Sequence, residues 1–127
     1  MEDAVHLDDF FYPYPVAGQR FDDDASFARY GEGDRAGWRR ANVNTFVREL
    51  HQRIKEVKPR VKFGISPFGI WKNAVADGGA GTNGLESYHA IYADSRRWVE
   101  SGWVDYIAPQ LYWQIGFDRA DYAVLLP

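Results

Sequence analysis

The sequence predicts an α/β fold built from three consecutive strand–helix units with parallel strands. Short apolar stretches with period-two alternation take turns with stretches in which apolar residues recur at every third or fourth position. The first pattern is typical of strands and the second of amphipathic helices. Strands that are separated by helices pair in parallel through right-handed crossovers.

The first predicted strand covers residues 4–9. Successive strand side chains point to opposite faces, so Val5 and Leu7 are assigned to the face covered by helices. His6 and Asp8 are assigned to the other face. The prolines at positions 13 and 15 end the strand.

Residues 16–34 are rich in Gly and Asp and predict a long loop, with a short helix over residues 25–30. The three aspartates at 22–24 are interpreted as part of a solvated loop. From Asp34, a suitable N-cap, an amphipathic helix is predicted to run to residue 57, where Lys58-Pro59 stops it.

The second strand is predicted over residues 61–66, with Phe63 and Ile65 on the face covered by helices. A Gly-rich loop over 69–84 follows it. One helix is then predicted over 85–101, with Gly102 as its C-terminal stop. A third strand is predicted over 103–113, with Tyr106 on the inner face. The start of a helix over 120–126 completes the chain.

The predicted loops after strands are long and those before strands are very short. In a TIM (β/α)₈ barrel the long loops build the active face and the short ones close the opposite end. The asymmetry therefore favours parallel (β/α) units from such a barrel. A barrel needs about 250 residues, so the 127 residues are expected to form about half of it, as a single partial domain over 1–127 truncated at both ends.

Composition excludes several functions. The net charge is −3, with 15 Lys and Arg against 18 Asp and Glu, so no nucleic-acid partner is expected. The chain has no cysteine and therefore no thiolate metal site. No apolar stretch is long enough for a membrane span, and no cofactor is expected because a phosphate-binding Gly-rich motif is missing.

Five polar side chains share the inner face near the predicted strand ends: His6, Asp8, Ser66, Gln110 and Tyr112. Burying polar groups is costly unless they are hydrogen-bonded or serve a function. Function is one interpretation, and a satisfied polar layer is the other.

Asp8 and Asp9 are the candidate catalytic carboxylates, because glycosidic hydrolysis uses two carboxyl groups that flank the scissile bond. Neighbours on a strand diverge, so Asp8 is the better catalyst and Asp9 a support. A loop-capping role explains the pair equally well. A metal site at His6, Asp8 and Asp9 is the less favoured alternative, because His51 and His89 lie on predicted helices.

Aromatic residues make up 17% of the chain. Sugar rings stack on aromatic faces, although large aromatics also fill cores. The candidates for sugar contact are Tyr12, Trp71, Tyr112 and Trp113.

Three motifs together resemble the bacterial glycosyl-hydrolase-like 10 family. They are His6-Leu7-Asp8-Asp9-Phe10-Phe11-Tyr12-Pro13-Tyr14-Pro15, Lys62-Phe63-Gly64-Ile65-Ser66-Pro67-Phe68-Gly69-Ile70-Trp71 and Tyr106-Ile107-Ala108-Pro109-Gln110-Leu111-Tyr112-Trp113. Shorter matches at Arg39-Arg40 and Tyr92-Ala93-Asp94 extend the resemblance.

The resemblance implies a glycosidase-like TIM barrel that is secreted or located in the cell envelope and acts on O-glycosyl bonds of a glycan such as peptidoglycan. Asp8 and Asp9 match its acidic motif, and Gln110, Tyr112 and Trp113 a later sugar-facing strand end. His6, Ser66 and Gln110 are expected to bind hydroxyls. The alternatives are a noncatalytic glycan-binding module and an inactive fragment, which is expected to self-associate through unpaired sheet edges.

Overall fold

The computed structural model describes residues 3–126 and shows a mixed α/β fold with one parallel sheet of three strands. The strands are β1 (Ala4–Leu7), β2 (Lys62–Ile65) and β3 (Tyr106–Ile107), in the order β1-β2-β3. The helices are α1 (Asp24–Tyr30), α2 (Arg35–Val57), α3 (Ser87–Ala90), α4 (Ser95–Glu100) and α5 (Tyr122–Leu125). A 3₁₀ turn lies at Val75–Asp77.

The parallel pairing predicted from the strand–helix order is confirmed. His6 is the register partner of Gly64, and Gly64 is the partner of Tyr106. Parallel strands bring their C-terminal ends to one edge of the sheet. The residues that follow β1, β2 and β3 therefore meet there.

The core lies between the sheet and the two helices α2 and α4. Phe63 and Ile65 of β2 are fully buried against Val43 and Val47 of α2 and Trp98 of α4. This confirms the assignment of the apolar face of β2 to the helical side. Burial of each such side chain contributes about 1.5–3 kcal/mol to folding.

The long helix is confirmed with its predicted start. The Asp34 side chain accepts a hydrogen bond from the Gly37 amide (2.8 Å), as an N-cap does. The amide of Lys58 still donates to the Ile54 carbonyl (2.8 Å), and Pro59 has no amide hydrogen with which to continue the pattern.

The single helix predicted over 85–101 is wrong, because the structure has two short helices there. Tyr92 adopts a φ of 57°, which a right-handed helix does not allow. Its hydroxyl accepts a hydrogen bond from Arg39 (2.9 Å). The positive φ of Tyr92 therefore accompanies a position beside this buried arginine. Asp94 then caps α4 through its side chain.

The third strand is much shorter than the predicted 103–113. The first part of the predicted strand instead forms the turn that ends α4. There the Trp103 amide donates to the Trp98 carbonyl (2.9 Å), and the intervening Gly102 has a φ of 66°. Beyond it, Pro109 has no amide hydrogen for a ladder. The Ala108 and Gln110 amides still donate to β2 and to Pro67, so the chain stays extended beside β2 without regular pairing.

At the N-terminal end of the strands, Asp105 links β2 to α2 through hydrogen bonds. Its carboxylate accepts hydrogen bonds from Lys55 Nζ (2.6 Å) and the Phe63 amide (2.7 Å). Burial acts to raise the pKa of Asp105, but these two hydrogen bonds, together with the positive charges of Lys55 and Lys62, outweigh it and lower the pKa. This supports the stabilising role that is usual at this end of a barrel-type sheet.

Across residues 3–126, none of the helices has the length and apolar character that crossing a bilayer requires.

Candidate functional site

The candidate site lies at the C-terminal edge of the sheet, on the face away from the helices. His6 lies in β1, Asp8 directly follows it, and Ser66 directly follows β2. Gln110 follows β3 and is bridged to Phe68 through the backbone. The structure therefore brings together four of the five inner-face residues that the alternation predicts.

His6 is held by two hydroxyl groups. Its Nε2 lies 2.8 Å from Ser66 Oγ, and its Nδ1 lies 2.9 Å from the hydroxyl of Tyr106. The rings of His6 and Tyr106 are stacked, with centroids 5.6 Å apart. Both ring nitrogens are thus engaged, and the orientation of the imidazole is fixed.

Tyr106 reaches His6 because the strand between them carries a glycine. A Cβ atom placed on Gly64 would lie 2.1 Å from the Tyr106 ring, much closer than any real contact. The role of Tyr106 was missed in the sequence analysis, although the residue was assigned to the correct face. The available signal was an interior strand glycine, which often marks a close approach of another group.

Asp8 is exposed, and one of its oxygens is held from two sides. Its Oδ1 accepts hydrogen bonds from the Asp9 amide (2.8 Å) and from Gln110 Nε2 (2.8 Å). These bonds, the Asp9 amide first, lower the pKa of Asp8. At neutral pH Asp8 is therefore a carboxylate.

The side-chain amide of Gln110 has a defined orientation. Its Nε2 donates both to Asp8 and to the carbonyl of Ser66 (2.9 Å). A carboxylate and a carbonyl can only accept, so the nitrogen must face them. Both N–H groups of Gln110 are therefore engaged in hydrogen bonds, and Oε1 is the atom that can accept a hydrogen bond from a ligand.

Asp9 lies beneath the site. Its exposed fraction is 2%, and its Oδ2 accepts a hydrogen bond from the hydroxyl of Tyr14. Burial raises the pKa of Tyr14, and the bond to Asp9 raises it further, so Tyr14 keeps its proton. The sequence analysis missed Tyr14, for which the aromatic run following Asp9 was the available signal.

A row of aromatic rings borders the site. Phe10, Tyr14, Phe68 and Trp113 make successive edge-to-face contacts, with centroid distances of 6.4, 6.1 and 6.0 Å. Tyr112 lies 83% exposed next to Trp113 in the chain. The row offers a surface on which a flat apolar face can stack.

Two predicted sugar-contacting residues lie apart from this cluster. Trp71 donates from Nε1 to Asp94 (2.8 Å), and its ring lies near the cationic groups of Lys72 and Arg96. Tyr12 accepts from Asn42 (3.3 Å) and lies beside the Arg39 guanidinium. Sugar contacts by Trp71 and Tyr12 stay predictions.

The interpretation of residues 22–24 as a solvated loop is wrong for Asp23, whose exposed fraction is 7%. Arg39 binds both of its oxygens, at 2.7 and 2.6 Å. The hydrogen bonds from Arg39 lower the pKa of Asp23 against the effect of burial. The three aspartates were interpreted together as solvated because Arg39, which pairs with Asp23, lies 16 positions further along the chain on α2.

Within residues 3–126, no group of three His, Cys, Asp or Glu side chains is placed to hold a metal ion. At the alternative position suggested by the sequence, both His6 nitrogens contact hydroxyl groups, and Asp9 is turned towards Tyr14. In that trio Asp8 is the exposed carboxylate, whereas Asp9 is buried.

Comparison with known proteins agrees with the resemblance found in the three motifs. A family model described as Glycosyl hydrolase-like 10 matches residues 2–126. The glycosyl hydrolase YngK of Bacillus subtilis (strain 168) is 54% identical over 129 residues, which cover 97% of this chain and 25% of that protein. The glycosyl hydrolase DigH of Escherichia coli (strain K12) is 43% identical over 126 residues, covering 97% of this chain and 28% of that protein.

The chain thus spans about a quarter of the length of the curated relatives that it matches. The family match extends over almost all of the chain, and both relatives are named glycosyl hydrolases. The chain belongs to the glycosyl hydrolase-like 10 family.

Proposed function

We propose that this chain forms one side of the active site of a (β/α)₈ glycoside hydrolase that cleaves O-glycosyl bonds of a bacterial glycan such as peptidoglycan. The observation that carries the proposal is the Asp8 carboxylate. It lies at the C-terminal edge of a parallel sheet, where barrel enzymes place their catalytic groups. Hydroxyl- and amide-bearing side chains and an aromatic row surround it.

Asp8 would act in its ionised form. The Asp9 amide and Gln110 hold Oδ1 and lower the pKa, which leaves Oδ2 to face a substrate. An ionised carboxylate serves as the nucleophile of a retaining enzyme or as the base of an inverting one. A general acid instead needs a raised pKa, so Asp8 is a poor proton donor.

Asp9 would support Asp8 and not react itself. Its carboxylate is buried under the site and bound by Tyr14, while its amide fixes Asp8. The second carboxyl group that hydrolysis requires would then come from another strand end of the same barrel.

The remaining side chains would bind the sugar. Gln110 Oε1 would accept from a hydroxyl or an acetamido N–H group, and Ser66 and His6 would contact hydroxyls. Trp113 and Tyr112 would stack on a sugar ring. The glycan suggests that the longer protein acts in the cell envelope or after secretion.

The test is an Asp8→Asn change in the chain and the matching change in a full-length relative. We expect loss of reducing-end release from bacterial glycan by at least about 10³-fold in the enzyme, since a carboxylate that reacts cannot be replaced by an amide. Asp118→Asn, a change at an exposed loop residue, should retain activity. Full activity of the Asp8 variant would refute the assignment.

A noncatalytic glycan-binding module is the second candidate. It is favoured by the burial of Asp9, which leaves Asp8 as the accessible member of the acidic pair. Glycan binding that Trp113→Ala weakens, without any release of sugar by the full-length protein, would select this function.

A further inference from the structure

A pocket lies on the helical side of the sheet, between α2 and α4. Its volume is about 320 Å³, and three arginines line it together with Trp103: Arg40 and Arg48 from α2, and Arg97 from α4. None of its lining residues belongs to the candidate site at the sheet edge. It is therefore a separate feature of the molecule.

These three arginines make no ion pair within the part of the chain that the structure describes. Aromatic residues position two of them instead. Arg40 donates to the Tyr88 carbonyl (3.2 Å) and lies 4.2 Å from the centre of its ring. Arg97 lies 5.7 Å from the ring centre of Trp103. Aromatic contact orders a guanidinium group without neutralising it.

The other polar groups of the lining leave the pocket rich in donors. Asp94 is the acidic residue there, and its Oδ1 accepts from Trp71 Nε1 (2.8 Å) and from the Arg97 amide (3.4 Å). The side-chain oxygen of Asn44 accepts from Trp98 (2.8 Å). Both N–H groups of the Asn44 side chain stay available as donors to the pocket.

We propose that this pocket binds a phosphate group. Guanidinium forks match phosphate oxygens and donate pairs of charge-assisted hydrogen bonds. Three arginines against one carboxylate favour a doubly charged anion over a singly charged one, and phosphate carries about 1.5–2 negative charges at pH 7. The whole chain carries a net charge of −3, so the excess of positive charge is confined to the pocket. We therefore attribute phosphate binding to direct contacts with the arginines and not to long-range attraction by the whole chain.

The proposal is tested by titrating inorganic phosphate into the isotope-labelled 127-residue chain at constant ionic strength. We expect saturable NMR shifts of the Trp103 indole and of the Arg40 and Arg97 Nε–H signals. The double change Arg48→Ala/Arg97→Ala should weaken binding at least about tenfold, because two charge-assisted contacts are lost. Arg53→Ala removes an exposed arginine of the same helix that pairs with Glu56 (3.2 Å) and should leave binding unchanged.

Two results would overturn it. One is a response to sodium acetate or sodium chloride as large as that to phosphate, which would show general charge screening. The other is equal phosphate affinity in the double variant, with its far-UV circular dichroism intact. Neither readout depends on glycan cleavage, so this proposal and the proposed hydrolase function can fail separately.

Discussion

The hydroxyl of Tyr106 lies 2.9 Å from Nδ1 of His6, although 100 positions separate the two residues in the chain. They occupy the outer strands of the sheet, at the same register on either side of Gly64. The missing side chain of Gly64 leaves the space through which the Tyr106 ring passes. The orientation of His6, and through it that of Ser66, thus depends on Gly64 in the central strand β2.

Gly64→Ala should destabilise the fold because the new methyl group would overlap the Tyr106 ring. We expect the free energy of unfolding in urea to fall by about 1–3 kcal/mol, the usual cost of overpacking. In a Tyr106→Ala background the same change should cost much less, since the ring is gone. Equal costs in the two backgrounds would contradict this explanation.

Gln110→Met should raise the pKa of Asp8 towards its ordinary value. The change removes a hydrogen bond that stabilises the carboxylate, while the Asp9 amide still donates to it. Carboxyl NMR titration of Asp8 measures the effect directly. Gln114→Met, at a nearby exposed position, is the control and should leave the titration unchanged.

Asp23→Asn should be strongly destabilising. It leaves Arg39, whose side chain is 11% exposed, without its charge partner. Breaking a buried ion pair from one side typically costs about 3–5 kcal/mol. Asp22→Asn, one residue earlier and exposed, should change urea stability by less than about 0.5 kcal/mol. Similar losses in the two variants would argue against the Arg39 pair as the cause.

The same pair should make stability depend on acid pH. The folded-state pKa of Asp23 is lowered, so its stabilisation is complete above the ordinary value of 3.8 and disappears as the pH falls through the lowered one. We expect the stability gap between the unchanged chain and Asp23→Asn to be constant from about pH 7 to 5 and to shrink towards pH 2. A gap that stays constant down to pH 2 would exclude the linkage.

Self-association through the sheet edges stays a prediction. Among the described strands, β1 and β3 are the outer ones, and unpaired edges invite pairing with another copy. Sedimentation should show dimers that increase with concentration. Ala4→Lys, which puts a charge on the exposed start of β1, should reduce them, whereas Gln52→Lys on α2 should not. A monomer at all concentrations would refute the prediction.

The sequence predicted the elements whose signals are local. Helix α2 was predicted because its N-cap Asp34, its apolar spacing and the proline that ends it all lie within or directly beside the helix itself. Alternation in the strands likewise assigned Phe63 and Ile65 to the core and His6 to the opposite face. The break at Tyr92 was missed because a contact with Arg39, 53 residues away, outweighs the helical spacing.

The site shows the same division. The sequence by itself determined the parallel α/β order, the family resemblance and the polar set that contains His6, Asp8, Ser66 and Gln110. Only the tertiary structure decided that Gln110 fixes one oxygen of Asp8, that Asp9 is buried against Tyr14, and that Tyr106 crosses Gly64. Side-chain alternation defines a face of a strand, but a hydrogen bond also depends on register, distance and burial, which arise only when separate strands pack together.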